Sequence, residues 1–340
     1  MKNITYLFGA GASAEKLPLV KDLPNKLADF KSFLENSFLE NDDEPVKVDD
    51  HYDLNLTYSI VRKRLINDIE WLATASEKHS SIDTFAKKLF IRGEKDLLRN
   101  LKTLLTIYFS FEQLRVSPDP RYDAFFASII SSSITNLPSN INILSWNYDS
   151  QFELSFSEYL KNDNVFKNEQ WLRTRNKYKN SKHDDGFGLY KLNGTARFFK
   201  NLINNDDYSI LRSVSDEINY DYLKRAIFAY QSSVENKFFP SLSFSWERDI
   251  AEKSIIDKAA RAVQNSNVLV VIGYSFPFFN RDIDKTIIQC MGSLEKVYIQ
   301  DPYATKLEER FNSFKAGYQE KIDIIPIEKD LDQFFLPPEL

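Results

Sequence analysis

Ile4-Thr5-Tyr6-Leu7-Phe8-Gly9-Ala10-Gly11-Ala12-Ser13-Ala14 is the stretch on which the fold turns. Ile4 to Phe8 has the short, mostly apolar run of a buried strand, and the small residues behind it predict a tight turn that opens a helix. Gly9 to Ala14 fits the G-x-G-x-x-G/A pattern in its alanine form, at the strand-to-helix position that its mechanism requires. There Gly9, Ala10 and Gly11 would let backbone N–H groups approach a pyrophosphate, while the helix N-terminus adds partial positive charge and Ser13 offers a hydroxyl. A tight turn with no ligand uses the same residues, so the stretch alone leaves both readings open.

Moving outward, the figure of an apolar strand that ends in polar or small residues recurs. Ile141 to Trp146 predicts a strand ending at Asn147-Tyr148-Asp149, and Leu189 to Leu192 one ending at Asn193-Gly194-Thr195. Asn267 to Ile272 leads into Gly273-Tyr274-Ser275-Phe276, and Val297 to Gln300 into Asp301-Pro302. Helical patterns over 124–134, 251–264 and 306–314 separate these strands. Parallel neighbours need such crossovers, which predicts an α/β chain: a Rossmann-like, mostly parallel sheet with helices on both faces.

In open sheets of this kind ligands gather beyond the carboxyl ends of the strands. That rule brings the glycine turn, Asn147, Asp149, Asn193, Gly194, Thr195, Gly273, Tyr274, Ser275 and Asp301 to one rim. An amide such as Asn147 suits orienting a ribose hydroxyl or a water, and the Asp149 carboxylate suits stabilising positive charge that develops on a sugar. Gly273, Tyr274 and Ser275 suit a ribose or a phosphate. Each group also reads as ordinary turn or cap chemistry.

The remaining segments are plainer. Pro24 is placed to start a helix through Phe30 and Phe33, and 41–50 is acidic enough for an exposed loop. Between 53 and 115 breakers are few, Ile60, Leu65, Ile69 and Leu72 fall at spacings of one helical face, and Ser81 or Asp83 can cap another helix. These residues predict an inserted helical subdomain, 41–115, in a discontinuous domain formed by 1–40 and 116–340. The Asn-, Lys- and Asp-rich stretch 162–185 predicts a mobile connection, and 197–240 carries no assignable motif.

With 340 residues, 43% hydrophobic and 27% charged, the chain has an ordinary globular composition. A net charge of −5 argues against a dedicated nucleic-acid binder. Cys290 is the only cysteine, which excludes an intrachain disulfide and a four-cysteine zinc site from one chain; no metal ligand set is predicted. The longest apolar run, Val268 to Phe279, is broken by Gly273, Ser275 and Pro277 and is shorter than the ~20 residues that span a bilayer. The first strand is too short for a signal-peptide core, so a cytoplasmic protein with no membrane association is expected.

Taken in order, Gly9-Ala10-Gly11-Ala12-Ser13, Asn147-Tyr148-Asp149, Lys191-Leu192-Asn193-Gly194 and Gly273-Tyr274-Ser275 resemble the elements of the SIR2-like family. The likeness is to its bacterial branch of NAD-cleaving defence proteins; the zinc module of the deacetylating sirtuins needs four cysteines. The resemblance covers roughly Met1 to Phe30 and the segments from Asn142 onward. It implies NAD as substrate or ligand without zinc, hydrolysis to ADP-ribose and nicotinamide, antiphage defence, a homo-oligomer and a partner defence protein. Asn147, Asp149 and Asn193 would then face the nicotinamide ribose, and Gly273, Ser275 and Asp301 the adenosine half. Asn193 departs from the family, which has its catalytic histidine there, and an amide is no general base. Of His51, His79 and His183, only His183 is close to it in sequence. A non-catalytic sensor of NAD or ADP-ribose, and a structural subunit of a defence complex, are the other readings.

Overall fold

The computed structural model describes residues 2–340 except 38–41, 49–54, 132, 135, 179–185, 203, 248, 249 and 320. By contact density the chain forms two units, one of 1–16, 118–194 and 243–340 and the other of 17–117 and 195–242. The first holds β1 (Ile4–Phe8). The second follows with α1 (Leu23–Asn36), α2 (Tyr58–Lys78), α3 (Ile82–Ile91) and α4 (Lys95–Arg115). The chain returns to the first unit for α5 (Pro120–Ile129), β2 (Ile141–Ser145), α6 (Gln151–Ser155), α7 (Ser157–Leu160), α8 (Val165–Trp171), β3 (Thr174–Arg175) and β4 (Gly188–Lys191). The second unit then gains β5 (Phe198–Asn201), β6 (Asp207–Ser209), α9 (Tyr220–Val234) and β7 (Phe238–Pro240). Last come α10 (Ile250–Ala262), β8 (Val268–Ile272), α11 (Arg281–Cys290), β9 (Lys296–Gln300), α12 (Ala304–Asn312) and β10 (Asp323–Ile327), all in the first unit.

The first unit is an α/β layer structure around a seven-stranded sheet of order β10-β9-β8-β1-β2-β4-β3, parallel at every pairing. The period of two along a strand sorts its side chains between two cores. Ile4, Tyr6 and Phe8 pack with Tyr122, Phe125 and Phe126 of α5 and Phe152 of α6. Leu7, with Leu269 and Val271 of β8, faces Ile255 and Ala259 of α10, Ile287 of α11 and Leu307 of α12. Helices therefore cover both faces, and the central strands are largely apolar, as suits a doubly covered parallel sheet.

In the second unit, α1 packs on α2, and α4 and α9 lie together over the antiparallel sheet β6-β5-β7. The expected insertion 41–115 falls inside this unit, which also takes in 17–40 and 195–242. Pro24 sits in the first turn of α1 as expected, and Ser81 caps α3 by accepting the Thr84 N–H at 3.2 Å, a bond of about 1 kcal/mol.

Three expectations need correction. Ile60 is 39% exposed, because the buried stripe of α2 runs Val61, Leu65, Ile69, Leu72, Ala75. The stretch 162–185, expected to be a mobile connection, contains α8 and β3 among its described residues, and Asn164 is the cap whose side chain accepts the Lys167 N–H; 179–185 lie outside the described residues. Finally, Gly9 to Ala14 opens no α-helix. It forms one 3-10 turn, Ala10–Ser13, and the next helix begins only at Leu23. A four-residue turn has too few aligned peptides for a macrodipole, so that part of the anion-binding argument falls.

Candidate functional site

The strand order changes direction at β1, which has β2 on one side and β8 on the other. The loops leaving β1 and β8 meet there backbone to backbone. Gly9 donates its N–H to the Ile272 carbonyl at 3.0 Å and Gly11 to the Gly273 carbonyl at 2.9 Å. A Cβ on Gly11 would lie 2.8 Å from Gly273 Cα, and one on Gly273 only 2.4 Å from the Ala12 nitrogen. Gly273 also has φ +57°, a conformation that favours glycine. These glycines are thus required by the approach of the two loops, whatever binds above them.

Ser13, at the end of the turn, is the hub of a buried cluster. Its hydroxyl donates to Asp149 Oδ2 at 2.8 Å, which leaves its oxygen to accept from Tyr122 Oη at 2.8 Å and Asn147 Nδ2 at 3.3 Å. Asn147 Nδ2 also donates to the Gly9 carbonyl at 3.0 Å, and the Gln151 N–H donates to Asp149 Oδ1 at 3.2 Å. Burial, reinforced by the Asp149 charge, pushes the Tyr122 hydroxyl well above its ordinary pKa, so it remains a proton donor. Beneath the cluster, Lys191 donates to the Asp149 carbonyl and lies 3.7 Å from Glu153 Oε2, both side chains fully buried.

Asn193 follows β4. Its Nδ2 donates to the Trp146 carbonyl at 3.3 Å, while its Oδ1 is buried without a hydrogen-bond partner among the described residues. Gly194 turns the chain at φ +74°, and Thr195 is the first residue of the second unit. On the other side of β1, Tyr274 points inward, 4% exposed, with its ring stacked on Trp146. Ser275 is exposed and its carbonyl accepts from Arg310 at 2.7 Å. Asp301 accepts the Tyr303 N–H at 2.9 Å, and partial burial raises its pKa.

Behind Trp146 and Tyr274 lies Asp284, which accepts from Tyr274 Oη at 2.8 Å and Trp146 Nε1 at 3.2 Å. Burial outweighs both hydrogen bonds and pushes its carboxyl up to about 8. A folded-state pKa above the unfolded 3.8 means that the folded chain binds this proton more tightly. Its stabilising effect is full below pH 3.8 and is lost as pH rises towards about 8. Asp284→Asn is therefore expected to flatten the stability profile over that window, which chemical denaturation at a series of pH values would read. An unchanged slope would show that Asp284 is ionised in the fold.

Asn147, Asp149 and Ser13 are brought into direct contact, and Asn193 is tied to the same β2 end through Trp146. Asp301 stands apart on β9, two strands from β1. Sequence reasoning missed Tyr122 and also Arg121, which donates to the Ala12 carbonyl at 3.0 Å and to Asp119 at 2.7 Å. Both come from α5, where only Asp119-Pro120 as a helix start gave any signal. His183 and His51 lie outside the described residues; His79 is in the second unit, its Nδ1 2.8 Å from the Ala75 carbonyl. Among the described residues, no three His, Cys, Asp or Glu side chains are grouped to share a metal ion, and no helix is long and apolar enough to cross a membrane.

No family model and no curated protein matches the sequence. Among solved structures, the chain is similar to Sir2Tm bound to a propionylated peptide, with 10% identity and a TM-score of 0.42 over 97% of this chain and 89% of that one. It is also similar to SIR2 in complex with the inhibitor EX-527, 2′-O-acetyl-ADP-ribose and a deacetylated p53 peptide, with 10% identity and a TM-score of 0.41 over 97% and 89%.

Proposed function

We propose that this chain is an NAD⁺ hydrolase, releasing nicotinamide and ADP-ribose in the bacterial cytoplasm and gated by a trigger or partner in antiphage defence. The observation that carries the proposal is the Ser13–Asp149–Asn147 cluster at the strand ends, with the unpartnered Asn193 acceptor beside it. Asp149 is held through both carboxylate oxygens, so it meets developing charge without reorganising. Asn193 Oδ1 suits a ribose hydroxyl, which would satisfy it. The four motif elements in order support the choice of NAD⁺, and assembly as a homo-oligomer belongs to the same reading.

In this reaction the C1′–N bond breaks with its electron pair going to the pyridinium nitrogen. Nicotinamide leaves neutral, so no general acid is needed. The ribose becomes oxocarbenium-like, and the Asp149 carboxylate lowers that barrier much as carboxylates do in glycosidases. Water then bonds to C1′ and gives up its proton to solvent or to Asp149. Asn193 cannot take that proton, and missing base assistance costs about 10²–10⁴-fold, a rate suited to a slow, triggered enzyme. Because the Gly9 and Gly11 N–H groups are engaged by the Ile272 and Gly273 carbonyls, contact with pyrophosphate falls to exposed Ala10. Asp301 and Asn193 are four strand spacings apart in the sheet order, roughly 19 Å, which suits a long, two-ended ligand with Gly273, Ser275 and Asp301 on its adenosine half and Asn193 and Gly194 near the nicotinamide ribose.

Purified protein incubated with NAD⁺, alone and with lysate of phage-infected bacteria, is expected to yield nicotinamide and ADP-ribose by chromatography in at least the second arm. NAD⁺ that binds but stays intact in both arms would select the sensor reading, which Asn193 in place of a base favours. No binding of any adenine dinucleotide would leave a structural subunit.

A further inference from the structure

The rim that holds Asn147, Asp149 and Asn193 lies at the carboxyl ends of the strands. On the amino-end side of the same sheet is a separate cavity of about 330 Å³, lined among others by Asn3 before β1, Asn142 in β2, Tyr190 in β4, Lys258 and Arg261 in α10, and Asn265 before β8. Among the described residues, no carboxylate lines it. Lys258 and Arg261 are three residues apart and so share a helix face, and neither side chain has an ion pair or hydrogen bond among the described residues. Cations in the last turns of a helix offset its dipole, which explains their presence but not the cavity. A second, independent feature is Asn142. Its Nδ2 donates to the Ala262 carbonyl at 3.3 Å, which fixes the amide's orientation and leaves Oδ1 buried with no partner among the described residues.

Two cations call for a dianion, and a buried acceptor calls for an O–H or N–H donor on the same ligand. The volume is at the low end of the ~300–1,000 Å³ of small-molecule sites, too small for a dinucleotide. We infer that this cavity binds a hydroxylated phosphate monoester of sugar-phosphate size, its phosphate on Lys258 and Arg261 and a hydroxyl donating to Asn142 Oδ1. The site is independent of the proposed hydrolysis and shares none of its residues.

Calorimetric titration of the full chain with ribose 5-phosphate tests it, with ribose and inorganic phosphate as separate arms. Ribose 5-phosphate is expected to bind more tightly than either fragment, and Lys258→Gln with Arg261→Gln to weaken it by about 100-fold, as loss of two charge-assisted contacts implies. Both side chains are at least partly exposed, so the double variant should fold normally. Unchanged affinity in that variant, binding that Asn147→Ala removes, inorganic phosphate binding equally well, or no binding up to about 10 mM would each overturn the assignment.

Discussion

Nicotinamide release from NAD⁺ is expected to fall by about 10²–10³-fold in an Asn147→Ala variant, the loss typical of removing a preorganised polar group from a charge-stabilising site. Asn147 bridges the Gly9 carbonyl and the Ser13 hydroxyl. Without it Ser13, and through Ser13 the Asp149 carboxylate, loses one of its restraints. The Gly9 carbonyl also loses a donor, so stability should drop by about 1–3 kcal/mol, which leaves a folded protein. Single-turnover rates alongside circular dichroism separate the two effects. A variant that folds and keeps full activity would remove Asn147 from the mechanism and the cluster from the site.

The largest effect on stability is expected from Gly273→Val. A side chain there must adopt φ +57°, which a β-branched residue resists, and its Cβ would lie 2.4 Å from the Ala12 nitrogen and 2.5 Å from the Gly11 carbonyl carbon. Those neighbours are backbone atoms at the end of the central strand, with no free side chain to swing aside. Strain and overpacking combine, and a loss of more than about 4 kcal/mol follows, measurable by urea unfolding or seen as failure to accumulate folded protein. A loss below about 1 kcal/mol would mean that the two loops separate easily.

The central strands were legible because burial on both faces leaves them almost purely apolar: β1, β2, β8 and β9 each fall where an apolar run predicts a strand. Elements lacking that signature were not legible. Edge strand β10 carries Pro326, which argues against a strand unless it is at an edge. β3 is two residues long, and the sheet β6-β5-β7 lies wholly in the stretch with no motif. The rim of the site followed from one rule about parallel sheets, applied to Asn147, Asp149, Asn193 and Gly273. Tyr122 and Arg121 could not follow from it, since they reach the glycine turn from a helix more than a hundred positions along the chain. The turn carries a second demand that the sequence does not display: its glycines fit a phosphate cradle, and their missing Cβ atoms are also required by Gly273 and Tyr274.

The position of β1 has a consequence for how the protein is made. Ile4 pairs with Ile141 on one side and with Val268 on the other. A ribosome adding about 5–20 residues per second therefore exposes β1 for roughly 13–50 s before its second neighbour exists. During that interval Tyr6, Leu7 and Phe8 belong to an unpaired apolar edge on the nascent chain, a template for wrong partners. Synthesis speed and chaperone occupancy over this interval, more than the final energy of the sheet, should set the yield of native protein.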